Sequence, residues 1–153
     1  MATEEKSLYF IARKERNYTR EIASLKISKL MIPPDRLEKI ENRRVTPHPD
    51  EILALAEAYD MPELINYYCH HDCEIGREYV DEVIPKDLPR IAIETVNSLN
   101  RLNQIQNRLL EIVEDGKITP DELKDFTTIK DTLDKIVSSA NSLQLWIRKN
   151  GLG

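Results

Sequence analysis

The sequence predicts an all-α protein, and three observations favour that fold class. The chain has 153 residues, of which 41% are hydrophobic, so it is long enough to bury a core. It contains only four glycines, and long stretches are free of residues that break helices. Its apolar residues, mostly Leu, Ile, Ala and Val, recur in several stretches at spacings of three and four, which is typical of amphipathic helices.

The first two predicted helices lie before residue 32. The stretch "EEKSLYFIARKERN" places Leu8, Ile11 and Ala12 on one face and ends near Asn17. Thr19 is then a candidate N-cap for a second helix, "REIASLKISKLM". The apolar residues of this second helix follow a helical period only roughly. They are Ile22, Leu25, Leu30 and Met31.

A third helix is predicted to begin at the proline pair. The motif "IPP" ends the second helix, because the residue before a proline is pushed out of the α region. Pro34 and Asp35 suit the first turn of a new helix, since proline has its φ preset and a carboxylate is favoured near the positive end of the helix dipole. Leu37 and Ile40 then supply the apolar edge of the third helix.

Two further helices complete a compact N-terminal domain. The stretch "DEILALAEAYD" places Ile52, Leu55, Ala56 and Tyr59 at helical spacings, and "MPELINYYC" predicts a short fifth helix from Pro62. We therefore assign residues 1–75 to one domain and residues 76–87 to a linker.

Residues 88–153 predict two long helices joined by a short turn, hence an antiparallel helical hairpin. Its apolar residues recur near heptad spacing. The main stripe is predicted to contain Leu88, Ala92, Leu99, Leu102, Leu109 and Val113 in the first long helix, and Phe126, Leu133, Ala140 and Ile147 in the second. Ile91, Ile105 and Ile112 lie beside this stripe, which leaves more apolar surface than one partner helix can cover. We expect a homodimer through this region, with packing on the N-terminal domain as the alternative.

Composition and charge exclude several classes of protein. No apolar run approaches the roughly eighteen residues of a membrane span, and the N-terminus lacks the layout of a secretory signal, so we expect a cytoplasmic protein without a membrane partner. No paired-carboxylate site, phosphate-binding glycine loop or Ser-His-Asp arrangement is indicated. We therefore expect neither an enzyme nor a cofactor.

The charge is distributed unevenly along the chain. The formal net charge is −5, but residues 1–50 carry eleven Lys and Arg against eight Asp and Glu, while residues 51–153 carry eleven against nineteen. Because lysine and arginine neutralise phosphates in protein–DNA contacts, any surface that faces DNA must be N-terminal.

Three stretches between residues 8 and 64 resemble a known family. They are "ARKERNYTRE", "DRLEKIEN" and "TPHPDEILALAEAYDMPEL", and the most specific part is "RLEKIENRRVTPHPDEILALAEAY". The chain resembles the Xre/Cro-like, phage-repressor type of bacterial transcriptional regulator. The resemblance implies a five-helix, lambda-repressor-like head with a helix-turn-helix, whose third helix enters the major groove of DNA.

The resemblance also implies which positions contact DNA. It assigns phosphate contacts to Thr19 and Arg20, major-groove positions to Pro34, Asp35, Arg36 and Lys39, and backbone contacts to Arg43, Arg44 and Thr46.

The chemistry of these residues favours base reading by only some of them. Arg36 has the geometry to pair with guanine O6 and N7, and Lys39 lies one turn along the same helix. Pro34 has no donor, and Asp35 brings negative charge near phosphates, although it can accept a hydrogen bond from cytosine N4.

The resemblance and this chemistry leave two candidate functions. One is a sequence-specific transcriptional regulator that occupies an operator, with two heads of a homodimer on a palindromic site. The alternative is a protein-interaction adaptor on the same fold that no longer reads DNA.

The segment "YYCHHDC" is a candidate metal site. Cys69 and Cys73, with His70 and His71 between them, supply enough ligands for zinc in number, but the spacing does not converge on a helix. Beyond them only His48 remains as a nitrogen or sulfur ligand. We therefore keep Cys69 and Cys73 as weak candidates for metal. The alternative is a structural segment in which the tyrosines and Cys69 pack and the histidines face solvent.

The segment "EDGKITPDEL" resembles the second half of an EF-hand calcium loop. Gly116 and Glu122 fit the loop positions, but Glu111 and Val113 do not supply the first ligands. A structural interpretation accounts for the same residues, with Gly116 ending one helix and Thr119 and Glu122 capping the next.

Overall fold

The computed structural model describes residues 6–152, and every regular element in that range is a helix. The prediction of an all-α protein is confirmed. Residues 1–5 and residue 153 lie outside the described part. They include Glu4 and Glu5, the first two residues of the predicted first helix. The helices are α1 (Leu8–Glu15), α2 (Arg20–Lys26), α3 (Pro34–Glu41), α4 (Pro49–Ala58), α5 (Glu63–Tyr67), a π-helical turn (Tyr68–Asp72), α6 (Glu74–Tyr79), α7 (Leu88–Val113) and α8 (Leu123–Lys149). None of the helices in residues 6–152 has the length and apolar character of a membrane span.

The described residues divide into two compact units, with the boundary between Val83 and Ile84. The first unit contains α1 to α6, and the second contains α7 and α8. The segment that we interpreted as a linker therefore begins as a helix, because α6 covers Glu74–Tyr79. Cys73 caps this helix through a hydrogen bond from the Gly76 amide to its sulfur at 3.5 Å.

Local signals place the starts of the first helices. The Thr19 hydroxyl accepts a hydrogen bond from the Ile22 amide at 3.2 Å, which confirms Thr19 as an N-cap. Pro34 is the first residue of α3, as predicted from its fixed φ. The predicted end of α2 is wrong, since the helix stops at Lys26 rather than Met31.

The core of the first unit confirms the predicted apolar edges of α3 and α4. Leu37 and Ile40 are buried, and so are the four predicted residues of α4 and its end, Ile52, Leu55, Ala56 and Tyr59. Tyr67 and Tyr68 pack against the same core.

The predicted buried faces of α1 and α2 are partly wrong. In α1 the buried residues are Tyr9, Ala12 and Arg13, while Ile11 is 40% exposed. Arg13 is buried because an acidic partner on α3 compensates its charge. Among the predicted apolar residues of α2 and its extension, Ile22, Leu25 and Met31 are exposed, and the short α2 buries Ala23 instead.

The second unit buries a different stripe from the one that we predicted. The buried residues of α7 are Ile91, Ser98 and Ile112, whereas the predicted stripe residues Leu99 and Val113 are exposed. In α8 the buried set contains Ile129, Thr132 and Ser139, and Leu133 is exposed. α7 and α8 pack against each other, and Arg108 near the end of α7 contacts Asp125 near the start of α8 at 2.7 Å, so the two helices are antiparallel.

Candidate nucleic-acid interface

The candidate interface is built on α2, α3 and the connection between them. The two helices pack against each other, and residues 27–33 join them. Ile27 and Ile32 in the connection are buried, and the Ser24 hydroxyl donates to the Ile32 carbonyl at 2.7 Å. Because both ends of the connection are anchored in this way, the start of α3 is fixed relative to α2.

A buried ion pair holds α3 against the preceding helices. Arg13 Nε and Nη2 donate to the two carboxylate oxygens of Glu41 at 2.5 and 2.9 Å, and the two side chains are only 4% and 2% exposed. Arg20 Nε donates to the same carboxylate at 3.0 Å. The hydrogen bond to Glu41 is the main cause that raises the pKa of Arg13. Bidentate arginine–carboxylate geometry fixes orientation as well as charge, so Glu41 positions α3 relative to α1 and α2.

The sequence did not identify this pair. Arg13 and Glu41 are separated by 28 positions. Taken alone, each residue is expected to be a solvent-exposed charged side chain on an amphipathic helix. In the sequence, the position of Glu41 directly after Ile40, on the apolar edge of α3, is the only indication that this glutamate faces inward.

Arg36, the residue that we expected to read guanine, is bound by an acid of α4. Its Nε and Nη2 donate to the Glu51 carboxylate at 2.9 and 2.8 Å, and Nη2 lies 3.5 Å from the Thr46 carbonyl oxygen. This contact is the main cause that holds the pKa of Glu51 below its usual range, and it raises the pKa of Arg36. Glu51 also accepts from the His48 amide at 2.7 Å. The pairing offsets the charge of Arg36 and leaves Nη1 without a hydrogen-bond partner among residues 6–152.

Lys39 differs from Arg36, since its side chain is exposed and forms no ion pair or hydrogen bond within residues 6–152. The Arg44 amide donates to the Lys39 carbonyl at 2.8 Å, and the Arg44 side chain, which is 67% exposed, approaches Glu38 at 3.8 Å. Glu38 also forms an ion pair with Arg20, with Nη1 of Arg20 and Oε2 of Glu38 3.5 Å apart. The negative charge of Glu38 on α3 is therefore shared by two arginines.

Arg43 follows α3 in a left-handed conformation with φ of 55°. Its Nη2 donates to the Tyr67 hydroxyl at 2.9 Å, which connects the end of α3 to α5. Among the other predicted contact residues, Thr19 caps α2, and Thr46 and Asp35 are exposed. Pro34 is partly buried at the start of α3.

The cysteines of "YYCHHDC" do not converge with the histidines. The described histidine, cysteine and acidic side chains form a cluster suited to a metal only at His70, His71 and Glu82, without Cys69 or Cys73. Both cysteines are free thiols. Burial is the main cause that raises the pKa of the Cys69 thiol, with a smaller effect from Cys73, so the thiolate that metals and electrophiles require is disfavoured.

The segment that resembles half an EF-hand has structural contacts for its acids. Gly116 adopts a φ of 71°, and the Glu122 carboxylate accepts from the Thr119 amide at 3.0 Å and from the Thr119 hydroxyl at 2.9 Å. Glu111 pairs with Arg108 at 3.0 Å. Gly116 lies in the turn that ends α7, as predicted. The prediction of Thr119 as the N-cap is wrong, because α8 begins at Leu123 with Glu122 at its N-cap position, and the contact between Thr119 and Glu122 lies in the turn before the helix.

No family model, no curated protein and no solved structure matches the chain.

Proposed function

We propose that the first unit is an Xre/Cro-like head that binds a specific double-stranded DNA sequence through α3, and that the protein regulates transcription by occupying an operator. The observation that carries this proposal is the contrast within α3. Its inner face is fixed by Leu37, Ile40 and the buried Glu41, while Lys39 extends from the exposed face without a partner among residues 6–152. A helix that is held firmly and presents a free cation suits insertion into a major groove.

The flanking charges support backbone contacts. Arg43 and Arg44 directly follow α3, and both are exposed. Arg20 is 29% exposed at the start of α2, next to the Thr19 cap. Arg43 has no acidic partner among residues 6–152, whereas Arg20 and Arg44 share Glu38. We therefore expect Arg43 to make the strongest phosphate contact, with weaker contacts from Arg20 and Arg44.

Arg36 is expected to contribute to specificity in a restricted way. Glu51 fixes the orientation of its guanidinium, and Nη1 remains to donate to a base edge. Lys39 then becomes the main base-reading residue, because its ammonium is neither oriented nor neutralised by a neighbour.

Exposed apolar side chains favour a second candidate function, that of a protein-interaction adaptor. Leu25 at the end of α2 is 85% exposed, and Met31 in the connection is 89% exposed. Large apolar side chains that stand beside a candidate DNA interface are also suited to contact with another protein.

Selection from a random duplex library at physiological salt separates these two functions. We expect the wild-type protein to enrich a palindromic sequence, and we expect Lys39→Ala to weaken binding to that sequence by about 5- to 100-fold while relaxing preference at one base pair in each half-site. Arg43→Ala should weaken selected and random DNA alike and reduce the salt dependence by about one phosphate contact.

The matched control for charge is Lys14→Ala, which removes one exposed lysine from α1. If Lys39→Ala and Lys14→Ala lose the same affinity for the selected sequence, the loss is due to net charge alone. That result would contradict base reading by α3. If no sequence is enriched at all, the adaptor function replaces the DNA-binding proposal.

We also propose that α7 and α8 mediate homodimerisation. The exposed apolar residues Val96, Leu99, Leu110 and Val113 lie within an arc of about 100° on α7, at roughly 100° per residue. A corresponding arc on α8 contains Leu123, Leu133 and Val137. The arc on α7 lies about 120° from the buried residues of that helix, and the arc on α8 lies about 120° to 180° from its own in the same rotational sense. In an antiparallel pair this turns both arcs toward one side, so the second unit exposes apolar side chains of both helices there.

The opposite side of the pair is polar apart from the exposed Ile93, and it supplies a control for this proposal. It is a groove lined by residues such as Asn97, Gln104 and Ser138. We expect the double variant Val96→Glu, Leu110→Glu to be monomeric in light scattering, and Asn97→Glu, Gln104→Glu to stay dimeric. A wild-type protein that is monomeric at micromolar concentration, or a polar-face variant that dissociates equally, would exclude this face as the interface.

A further inference from the structure

The π-helical turn brings two histidines to the extended segment that follows α6. His70 and His71 belong to the turn, and Glu82 belongs to the segment. One potential ligand atom from each of these three side chains lies within 4.8 Å of the others. We propose that His70, His71 and Glu82 bind a divalent transition ion of the zinc type, which fastens residues 80–83 to the π-helical turn.

The hydrogen bond of His70 prepares its ring for a metal. His70 Nδ1 lies 2.7 Å from the Val80 carbonyl oxygen, which can only accept. In the neutral ring Nδ1 therefore carries the proton, and Nε2 keeps a free lone pair. Histidine ligands in metal sites commonly donate their second nitrogen to a backbone carbonyl in this way, which fixes both tautomer and ring orientation.

The spacing between His71 and Glu82 matches two ligands of one ion. His71 Nε2 lies 3.1 Å from Glu82 Oε1. Two atoms that each bind zinc at about 2.0–2.2 Å are about 3–3.5 Å apart, so an ion can replace the shared proton with little movement. The widest separation in the cluster, 4.8 Å, must close by more than about 1 Å to reach the roughly 3–3.5 Å between two ligand atoms of one zinc ion. His71 and Glu82 are exposed, so side-chain rotation is free to close this gap.

The backbone on both sides of Glu82 is already held in place. The Asn66 side chain donates through Nδ2 to the Asp81 carbonyl at 3.0 Å, and its Oδ1 accepts from the Val83 amide at 2.7 Å. The Tyr67 ring packs against the His71 ring with centroids 4.5 Å apart. Both halves of the site are therefore ordered before the ion binds, and this lowers the entropic cost of binding.

The ligand set selects the class of ion. Two imidazoles and one carboxylate suit zinc and its neighbours among the divalent transition metals, and they do not suit calcium or magnesium, which prefer oxygen ligands. Three protein ligands leave a position for water. The thiols that the sequence suggested are not needed, because Cys73 Sγ accepts from the Gly76 amide and Cys69 lies outside the cluster.

The test is a titration of the chelator-treated full chain with zinc chloride, followed by calorimetry and by the melting temperature. We expect one zinc per chain and a rise in melting temperature, no response to magnesium chloride, and at least a tenfold loss of affinity in each of His70→Ala, His71→Ala and Glu82→Gln. Circular dichroism before titration confirms that each variant is folded.

The matched controls are His48→Ala, which removes the third histidine of the chain, and Cys69→Ser. Both should bind zinc as the wild type does. The proposal is overturned if the wild type binds no zinc, if Glu82→Gln and His71→Ala bind it undiminished, or if Cys69→Ser abolishes binding, since that result would return the site to the thiols.

Discussion

Replacing Glu41 with alanine is expected to lower the free energy of unfolding of the first unit by about 3 to 5 kcal/mol. The carboxylate accepts hydrogen bonds from Arg13 and Arg20, and its backbone carbonyl accepts from the Ser7 hydroxyl at 2.7 Å. Its removal leaves the Arg13 guanidinium 4% exposed without its counter-charge, retaining only the Tyr18 carbonyl at 2.7 Å. A buried charge without compensation is among the most destabilising single changes in a protein.

Urea denaturation of Glu41→Ala measures this loss, and an exposed ion pair of the same unit provides the control. Arg16 and Asp60 pair at 3.0 Å with side chains 40% and 81% exposed, so Asp60→Asn, which removes the charge and suits the left-handed backbone with φ of 47°, should cost at most about 1 kcal/mol. The double variant Arg13→Met, Glu41→Leu should recover most of the stability, because apolar residues of similar volume remove both charges together. A loss in Glu41→Ala no larger than in Asp60→Asn would show that Arg13 finds another partner.

Replacing Gly76 with alanine is expected to be comparably damaging, at about 3 kcal/mol or more, the upper end of the range for overpacked sites. A Cβ atom at this position would lie 1.8 Å from the Cys69 carbonyl oxygen and 2.6 Å from its carbonyl carbon. Both are backbone atoms of the π-helical turn, so no side chain can rotate away to make room. The α6 helix would have to move away from the turn against which it packs.

Glu78→Ala is the control for Gly76→Ala, because it places the same methyl group on an exposed position of α6 and should change stability by no more than about 0.5 kcal/mol. Urea denaturation gives the global effect, and amide hydrogen exchange over residues 74–79 reports whether α6 separates first. If Gly76→Ala has the same denaturation midpoint and the same exchange rates as Glu78→Ala, the close approach of α6 to the π-helical turn is contradicted.

Several elements of the fold were predictable because a few neighbouring residues determine them. Thr19 caps α2 and Pro34 begins α3, since capping and proline geometry act over one helical turn. Gly116 ends the helical segment that contains α7 because a residue with φ of 71° is needed there and glycine adopts it without a Cβ clash. The buried residues of α4 were predictable for a related reason, since its apolar pattern is unambiguous.

The candidate interface was only partly predictable, because charged side chains choose partners across the fold. The sequence indicated which residues lie on α3, and Lys39 is indeed exposed. It gave no sign that Arg36 is held by Glu51, fifteen positions later, in α4. The cluster of His70, His71 and Glu82 was missed for the same reason, since Glu82 is brought to the histidines only by the turn of the chain through α6.

By itself the sequence determined the helical class, the order of the helices and the caps that begin several of them, because these depend on propensity, periodicity and contacts within a turn. Only the tertiary structure decided which charged residues are buried and which apolar residues remain exposed. Arg13 is buried because Glu41 compensates it, and Leu99 is exposed because Ile91 and Ile112 form the stripe that α8 covers. The cost of burying a group depends on the partner that it meets, and that partner is set by packing across distant parts of the chain.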